Sequence, residues 1–148
     1  AAPLFLGPRV LDVGAGGGYP AVSVAILKPD LSLELCERSR RKAAYLEYVA
    51  AQLHLARVTV RAAEVKQLLA LCVGPFETIM VRAVGGIGTL EKLLRPLMTE
   101  RGQLLLCLGL AGSAELGTTL AERGYDVAVH EDPAAERRVV LQARRLPK

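Results

Sequence analysis

Residues 10–20 read Val10-Leu11-Asp12-Val13-Gly14-Ala15-Gly16-Gly17-Gly18-Tyr19-Pro20. An apolar run ends in a carboxylate, passes into a turn made only of glycine and alanine, and meets the start of a helix. Glu37 closes the next apolar run. This pattern suits an adenosine-containing cofactor. Glycines let the backbone approach a ligand, a helix N-terminus offers unpaired N–H groups, and a carboxylate ending the second strand can take ribose hydroxyls. A loop that nothing approaches has little reason for so much glycine, because glycine loses the most backbone entropy on folding.

The elements that must hold these residues are legible from periodicity and breakers. Arg9 to Val13 is the first strand, and Pro20 opens a helix to about Leu27. Leu31 to Cys36 alternates as a strand, and a helix with an apolar stripe runs from Arg38 to about Leu53. Arg57 to Arg61 is a β-branched strand, Glu64 to Leu71 a short helix, and Phe76 to Val81 a fourth strand. Ile87 to Met98 is helical with Pro96 as a kink or early end, and Arg101-Gly102 turns into a buried strand from Gln103 to Leu108. A helix over Ser113 to Arg123 is followed by strands at Tyr125 to His130 and Arg137 to Ala143, hinged at Asp132-Pro133. Strands alternating with helices predict an α/β fold, a doubly wound and mostly parallel seven-stranded sheet. The last two strands, with no helix between them, form an antiparallel hairpin. The 148 residues are read as a single domain.

Composition narrows the function classes. The net charge of +4 leans weakly towards a polyanionic partner. Cys36, Cys72 and Cys107 are far apart, odd in number and set in or beside apolar runs. They are expected to be buried free thiols of a cytoplasmic protein rather than a disulfide or metal set. With only His54 and His130, a histidine-rich metal cluster is excluded. No membrane span is expected. A phosphate loop of the GxxxxGK[ST] kind and a GxSxG elbow are both missing.

Two frames compete for the glycines. Gly16-x-Gly18-x-x-Ala21 formally satisfies a dinucleotide fingerprint, but it starts two residues too far from the strand and puts Pro20 in the tight turn. Asp12-x-Gly14-x-Gly16-x-Gly18 begins inside the strand end, and its carboxylate would repel a pyrophosphate. That second frame resembles the first motif of S-adenosyl-L-methionine-dependent methyltransferases, where the acid faces the cofactor's amino group. The Asn/Asp-Pro-Pro-aromatic signature of amino-group methyltransferases does not follow the fourth strand, which instead reads Arg82-Ala83-Val84.

With that triplet the chain resembles the bacterial small-subunit (16S) rRNA guanine-N7 methyltransferases, also called glucose-inhibited division protein B. Further matching segments are Gly18-Tyr19-Pro20, Glu37 with Arg41-Lys42 and Tyr45-Leu46-Glu47, Val58-Thr59-Val60 leading to Ala63-Glu64, and Glu136-Arg137-Arg138-Val139-Val140. The resemblance implies that Gly14, Gly16 and Gly18 shape the turn around the cofactor's methionine end, with Tyr19 along its edge. Glu37 would take the ribose hydroxyls, Ala63 and Glu64 would flank the adenine, and Arg82 would sit at the cofactor edge as the substrate-positioning catalytic residue. Tyr19 is equally readable as a packing residue, and Ala63-Glu64 as a helix N-terminus with a favourable carboxylate.

The implied partner is rRNA in the small ribosomal subunit, without membrane or metal, and the protein would act as a cytoplasmic monomer. Arg41, Lys42 and Arg137 are the candidate RNA contacts. Arg40, Arg138, Arg144, Arg145 and Lys148 add basic charge; Arg40 to Lys42 are also readable as a solvated helix face, and the C-terminal basic group, Arg137 included, as a tail that prevents edge pairing. There are two departures from the family pattern. Only residues 1–8 precede the first strand, where the family carries an N-terminal helical segment, and Leu108-Gly109 stand where it has lysine and glycine. A small-molecule methyltransferase and a non-catalytic cofactor-binding module remain alternatives on the same fold.

Overall fold

The computed structural model describes residues 4–82, 86–131 and 138–147. Strands β1 (Arg9–Val13), β2 (Ser32–Cys36), β3 (Val58–Arg61), β4 (Phe76–Arg82), β5 (Met98–Gly109), β6 (Tyr125–Glu131) and β7 (Arg138–Arg145) form one sheet in the order β3-β2-β1-β4-β5-β7-β6. The first five strands are parallel, while β7 runs antiparallel to both β5 and β6. Helices α1 (Ala21–Leu27), α2 (Arg40–Gln52), α3 (Val65–Ala70), α4 (Ile87–Leu94) and α5 (Ser113–Glu122) connect them.

The two sheet faces carry separate cores. Val10, Leu33, Leu35, Met80 and Leu105 pack with Ala21 and Ala25 of α1 and Leu46 of α2. Leu11, Ile79, Val81, Leu104 and Leu106 pack with Leu68 of α3, Ile87 and Leu94 of α4, and Leu120 of α5. Neighbours along one strand therefore serve opposite layers, which is why these strands read as continuous apolar runs. Chain order reverses where β1 lies between β2 and β4, and ligands of such sheets bind beyond the strand carboxyl ends at that switch point.

Three expectations need correction. The strand expected at Gln103 to Leu108 extends from Met98 to Gly109 and runs through Arg101-Gly102. The added length is absorbed by an irregular register, with Phe76 opposite Met98 and Thr78 opposite Gln103. Gly102 permits it, since a Cβ there would stand 3.2 Å from the Phe76 carbonyl oxygen. Second, the C-terminal strand is no edge-blocking tail. It is inserted between β5 and β6, and Arg145 donates from Nη1 to the Thr99 carbonyl. Third, Cys72 is exposed, whereas Cys36 is buried and Cys107 half-buried. The Asp132-Pro133 turn lies outside the described residues. Pro96 ends α4 early, and Arg95–Leu97 continues as a 3₁₀ turn.

Two charged clusters tie the elements together. Buried Glu91 accepts from Tyr125 Oη at 2.7 Å, Arg95 Nε at 2.6 Å and Arg123 Nη1 at 3.0 Å, tying α4 to the end of α5 and the start of β6. Burial pushes its carboxyl up, but hydrogen bonds from Tyr125, Arg95 and Arg123 outweigh this and hold it below the ordinary range. Across β1, β2 and β3, Glu34 bridges Arg9 and Arg61.

Candidate cofactor and substrate site

Asp12 sits near the carboxyl end of β1, opposite Leu35 of β2 and Met80 of β4. It is 1% exposed, and among the described residues neither carboxylate oxygen has a hydrogen-bond partner. Burial raises its pKa to about 7, with nearby Arg82 pulling it down and Glu37 pushing it up. A buried acid without a partner is costly, so the site calls for a cationic or hydrogen-bond-donating ligand group.

The turn after β1 is built for close approach. Gly14, Gly16 and Gly18 have φ of +73°, +58° and +93°, values that disfavour any side chain. A Cβ on Gly18 would also fall 2.7 Å from Val22 and 3.0 Å from Leu46, so the turn sits directly on α1 and α2. Glu37 stitches the turn to the second strand. Its Oε2 accepts from Gly16 N at 2.9 Å and its Oε1 from Ser39 N at 2.8 Å. Each oxygen has further lone-pair capacity for a ligand hydroxyl. Sequence reading found Glu37 but not Ser39, which also caps α2 by accepting from Lys42 N.

Beyond Glu37, a cavity of about 600 Å³ opens between the β2–α2 and β3–α3 connections, lined by Arg38, Ser39, Ala63, Glu64 and Gln67 among others. Ala63-Glu64 forms the helix N-terminus and also faces this cavity. Glu64 is the N-cap of α3, its N–H donating to Gln67 Oε1 at 2.7 Å. The Ala63 backbone is engaged as well, its N–H reaching the carbonyls of Glu37 and Arg61 and its carbonyl accepting from Cys36 Sγ.

Arg82 closes the site from β4. Its Nη2 donates to the Gly14 carbonyl at 3.4 Å, which places the guanidinium over the turn on the Asp12 face of the sheet. Its neighbour across the ladder is Cys107, a thiol that sequence reading did not connect with the site. Burial and Asp12 raise the Cys107 pKa while Arg82 lowers it. Ala83 and Val84 lie outside the described residues, as do Glu136, Arg137 and Lys148.

Tyr19 is exposed at the turn's outer end, so it is not a packing residue in this structure. Arg41 and Lys42 are exposed in the first turn of α2. Leu108 points into the α4/α5 layer, lining a second cavity of about 660 Å³ with Val81, Leu106 and Leu116. Among the described residues no cluster of His, Cys, Asp and Glu could hold a metal, and no helix is long and apolar enough to cross a membrane.

Sheet order 3-2-1-4-5-7-6, with an antiparallel final strand inserted beside the last parallel one, makes this the seven-stranded Rossmann-like fold of class I methyltransferases. The solved structure of a SAM-dependent methyltransferase from Aquifex aeolicus superposes with a TM-score of 0.76 over 97% of this chain and 85% of its own, at 17% identity. Within that class, residues 3–132 match the family described as rRNA small subunit methyltransferase G, and the chain belongs to that family. It is 41% identical over 115 residues to the ribosomal RNA small subunit methyltransferase G of Sorangium cellulosum, covering 76% of this chain and 48% of that one. It is 35% identical over 144 residues to the protein of the same name from Chromohalobacter salexigens, covering 94% of this chain and 66% of that one. The chain thus spans about half to two thirds of the length of these curated relatives.

Proposed function

We propose that this chain binds S-adenosyl-L-methionine and transfers its methyl group to N7 of a guanine in small-subunit rRNA. The observation that carries the cofactor half is Asp12, a buried carboxylate with no hydrogen-bond partner among the described residues, beside a three-glycine cradle. A cationic amino group would satisfy it, whereas a pyrophosphate would be repelled by it. The RNA half is supported by membership of a family described as rRNA methyltransferases.

The residues divide the work as follows. Gly14, Gly16 and Gly18 cradle the methionine end, with Asp12 at its amino group and Tyr19 along its edge. Glu37 takes the ribose hydroxyls on its remaining lone pairs. Ala63 and Glu64 flank the adenine in the adjoining cavity. Arg82 holds the substrate edge. The cofactor supplies an electrophilic methyl carbon on a sulfonium. Guanine N7 carries an in-plane lone pair and no proton, so the chain needs no general base. What it must supply is alignment. The target base has to be unpaired or extruded to reach the site. Arg41, Lys42 and Arg137 hold the RNA backbone, and the protein works as a cytoplasmic monomer.

Calorimetric titration with S-adenosylmethionine and S-adenosylhomocysteine, with NAD as control, tests the first half. Micromolar binding of the first two and none of NAD is expected. Methyl incorporation into small ribosomal subunits lacking the modification tests the second. Failure of both cofactor ligands to bind overturns the enzyme reading. Cofactor binding without incorporation leaves a cofactor-binding module.

A further inference from the structure

The chain has four tyrosines and two phenylalanines. Tyr125 and Phe76 are buried and Phe5 packs against the α1/α2 core, yet Tyr19, Tyr45 and Tyr48 are 61%, 53% and 62% exposed. Burying an aromatic ring is among the larger apolar gains a chain can make, so three rings left in water on neighbouring elements need a reason. Tyr45 and Tyr48 stand on α2, on the face turned away from the core residues Ala43 and Leu46. At 100° per residue, Arg41, Tyr45 and Tyr48 form one outward stripe spanning about 10 Å, with Lys42 on its flank.

Charge on α2 runs against helix stability. Arg40, Arg41 and Lys42 occupy the first turn, where the macrodipole favours acids, and no acid is there. The only acidic residue of the helix, Glu47, is turned aside towards β3, lining a groove with Ala50, His54 and Val58. The outward stripe therefore carries cations and rings without a carboxylate. It begins at the carboxyl edge of the sheet, beside the glycine turn.

We propose that the Arg41–Tyr45–Tyr48 face of α2 is a stacking platform for unpaired RNA bases, with Arg41 and Lys42 neutralising the phosphates between them. Flat, exposed rings interleaved with cations suit single-stranded nucleic acid, because every base has a π-face and each step carries a phosphate. A duplex hides its bases and would use only the charges. This inference rests on the rRNA reading above and names the feature of the RNA that the protein grips outside the methylation site.

The chain lacks tryptophan, so its intrinsic fluorescence is that of tyrosine, which stacking quenches directly. The full chain, saturated with S-adenosylhomocysteine, is titrated with a single-stranded RNA hairpin loop and with blunt duplex RNA of equal charge. The loop is expected to quench and the duplex not. Tyr45→Ala and Tyr48→Ala are each expected to weaken loop binding roughly tenfold, the loss of one base stack, while Tyr45→Phe keeps it. Arg41→Ala should instead lower the salt slope by about one and weaken loop and duplex alike. Loop affinity unchanged in both tyrosine variants, with circular dichroism and cofactor binding intact, overturns the proposal. So does concentration-dependent sedimentation abolished by Tyr48→Ala, which would make the face a contact between copies. Stacking without methyl incorporation leaves the platform standing and removes only the guanine-methylation reading.

Discussion

The Arg82 guanidinium stands across the glycine turn, its Nη2 3.4 Å from the Gly14 carbonyl oxygen, and a Cβ on Gly16 would fall 2.5 Å from the same nitrogen. The residue is exposed, so its bond to the turn contributes little to stability. Its position between the turn and the open side of the site suits it to orienting a substrate. Arg82→Ala is expected to leave S-adenosylmethionine affinity within about tenfold while cutting single-turnover methyl transfer by roughly a hundredfold. Unchanged turnover on small ribosomal subunits would remove Arg82 from the reaction.

Asp12 links pH to both stability and binding. Its pKa of about 7 in the folded chain lies above the ordinary 3.8. Between those values the folded chain keeps a proton that the unfolded chain has released. The site's stabilising contribution is therefore complete below about pH 4 and lost as pH rises through 7. Asp12→Asn is expected to melt at a higher temperature than the parent at pH 8, with the difference disappearing near pH 4. The same variant should bind S-adenosylmethionine more weakly, because a neutral amide oxygen accepts from an ammonium group without a carboxylate's charge. In the parent, binding at pH 7 should release a proton as the carboxyl ionises, visible as a calorimetric heat that varies with buffer ionisation enthalpy.

Glu91 collects three donors while almost wholly buried. Because its folded pKa is depressed, its contribution is present above the ordinary carboxylate range and fades as pH falls through the folded value. Glu91→Ala strands the Tyr125 hydroxyl and Arg95 Nε, while Arg95 Nη2 and Arg123 Nη1 keep the carbonyls of Arg123 and Gly88. We expect a loss of about 2–3 kcal/mol, moderated because Arg95 and Arg123 are partly exposed. Tyr125→Phe removes one of the three bonds and should cost about 1 kcal/mol. Urea denaturation at pH 7 measures both.

The three thiols should separate by reactivity. Cys36 is buried, donates to the Ala63 carbonyl and has its pKa pushed up to about 11, first by burial and then by Glu37 and Asp12. Cys107 is half-buried and also raised by burial, whereas Cys72 is exposed. Maleimide labelling of the native protein at pH 7 is expected to modify Cys72 first and Cys36 last, as peptide mass mapping would show. Early modification of Cys36 would contradict the packing of β2 against α3.

Local signals in the chain determined the element order, the parallel sheet and most of the residues of the candidate cofactor site. Asp12, the glycines and Glu37 form a pattern of spacing and residue type, and spacing survives folding because Asp12 and the glycines close β1 while Glu37 follows its parallel neighbour β2. The sequence was silent on relations between elements distant along it. Nothing local shows that residues 138–145 pair with β5 inside the sheet rather than at its edge, since antiparallel pairing only requires that the chain turn back. The run through Arg101-Gly102 depended on the Phe76 backbone lying against Gly102, a contact between residues on different strands. That Cys107 adjoins Arg82 follows from the β4–β5 register. The exposure of Tyr45 and Tyr48 was decided by which side of α2 the sheet buries, and only the packed sheet makes that choice.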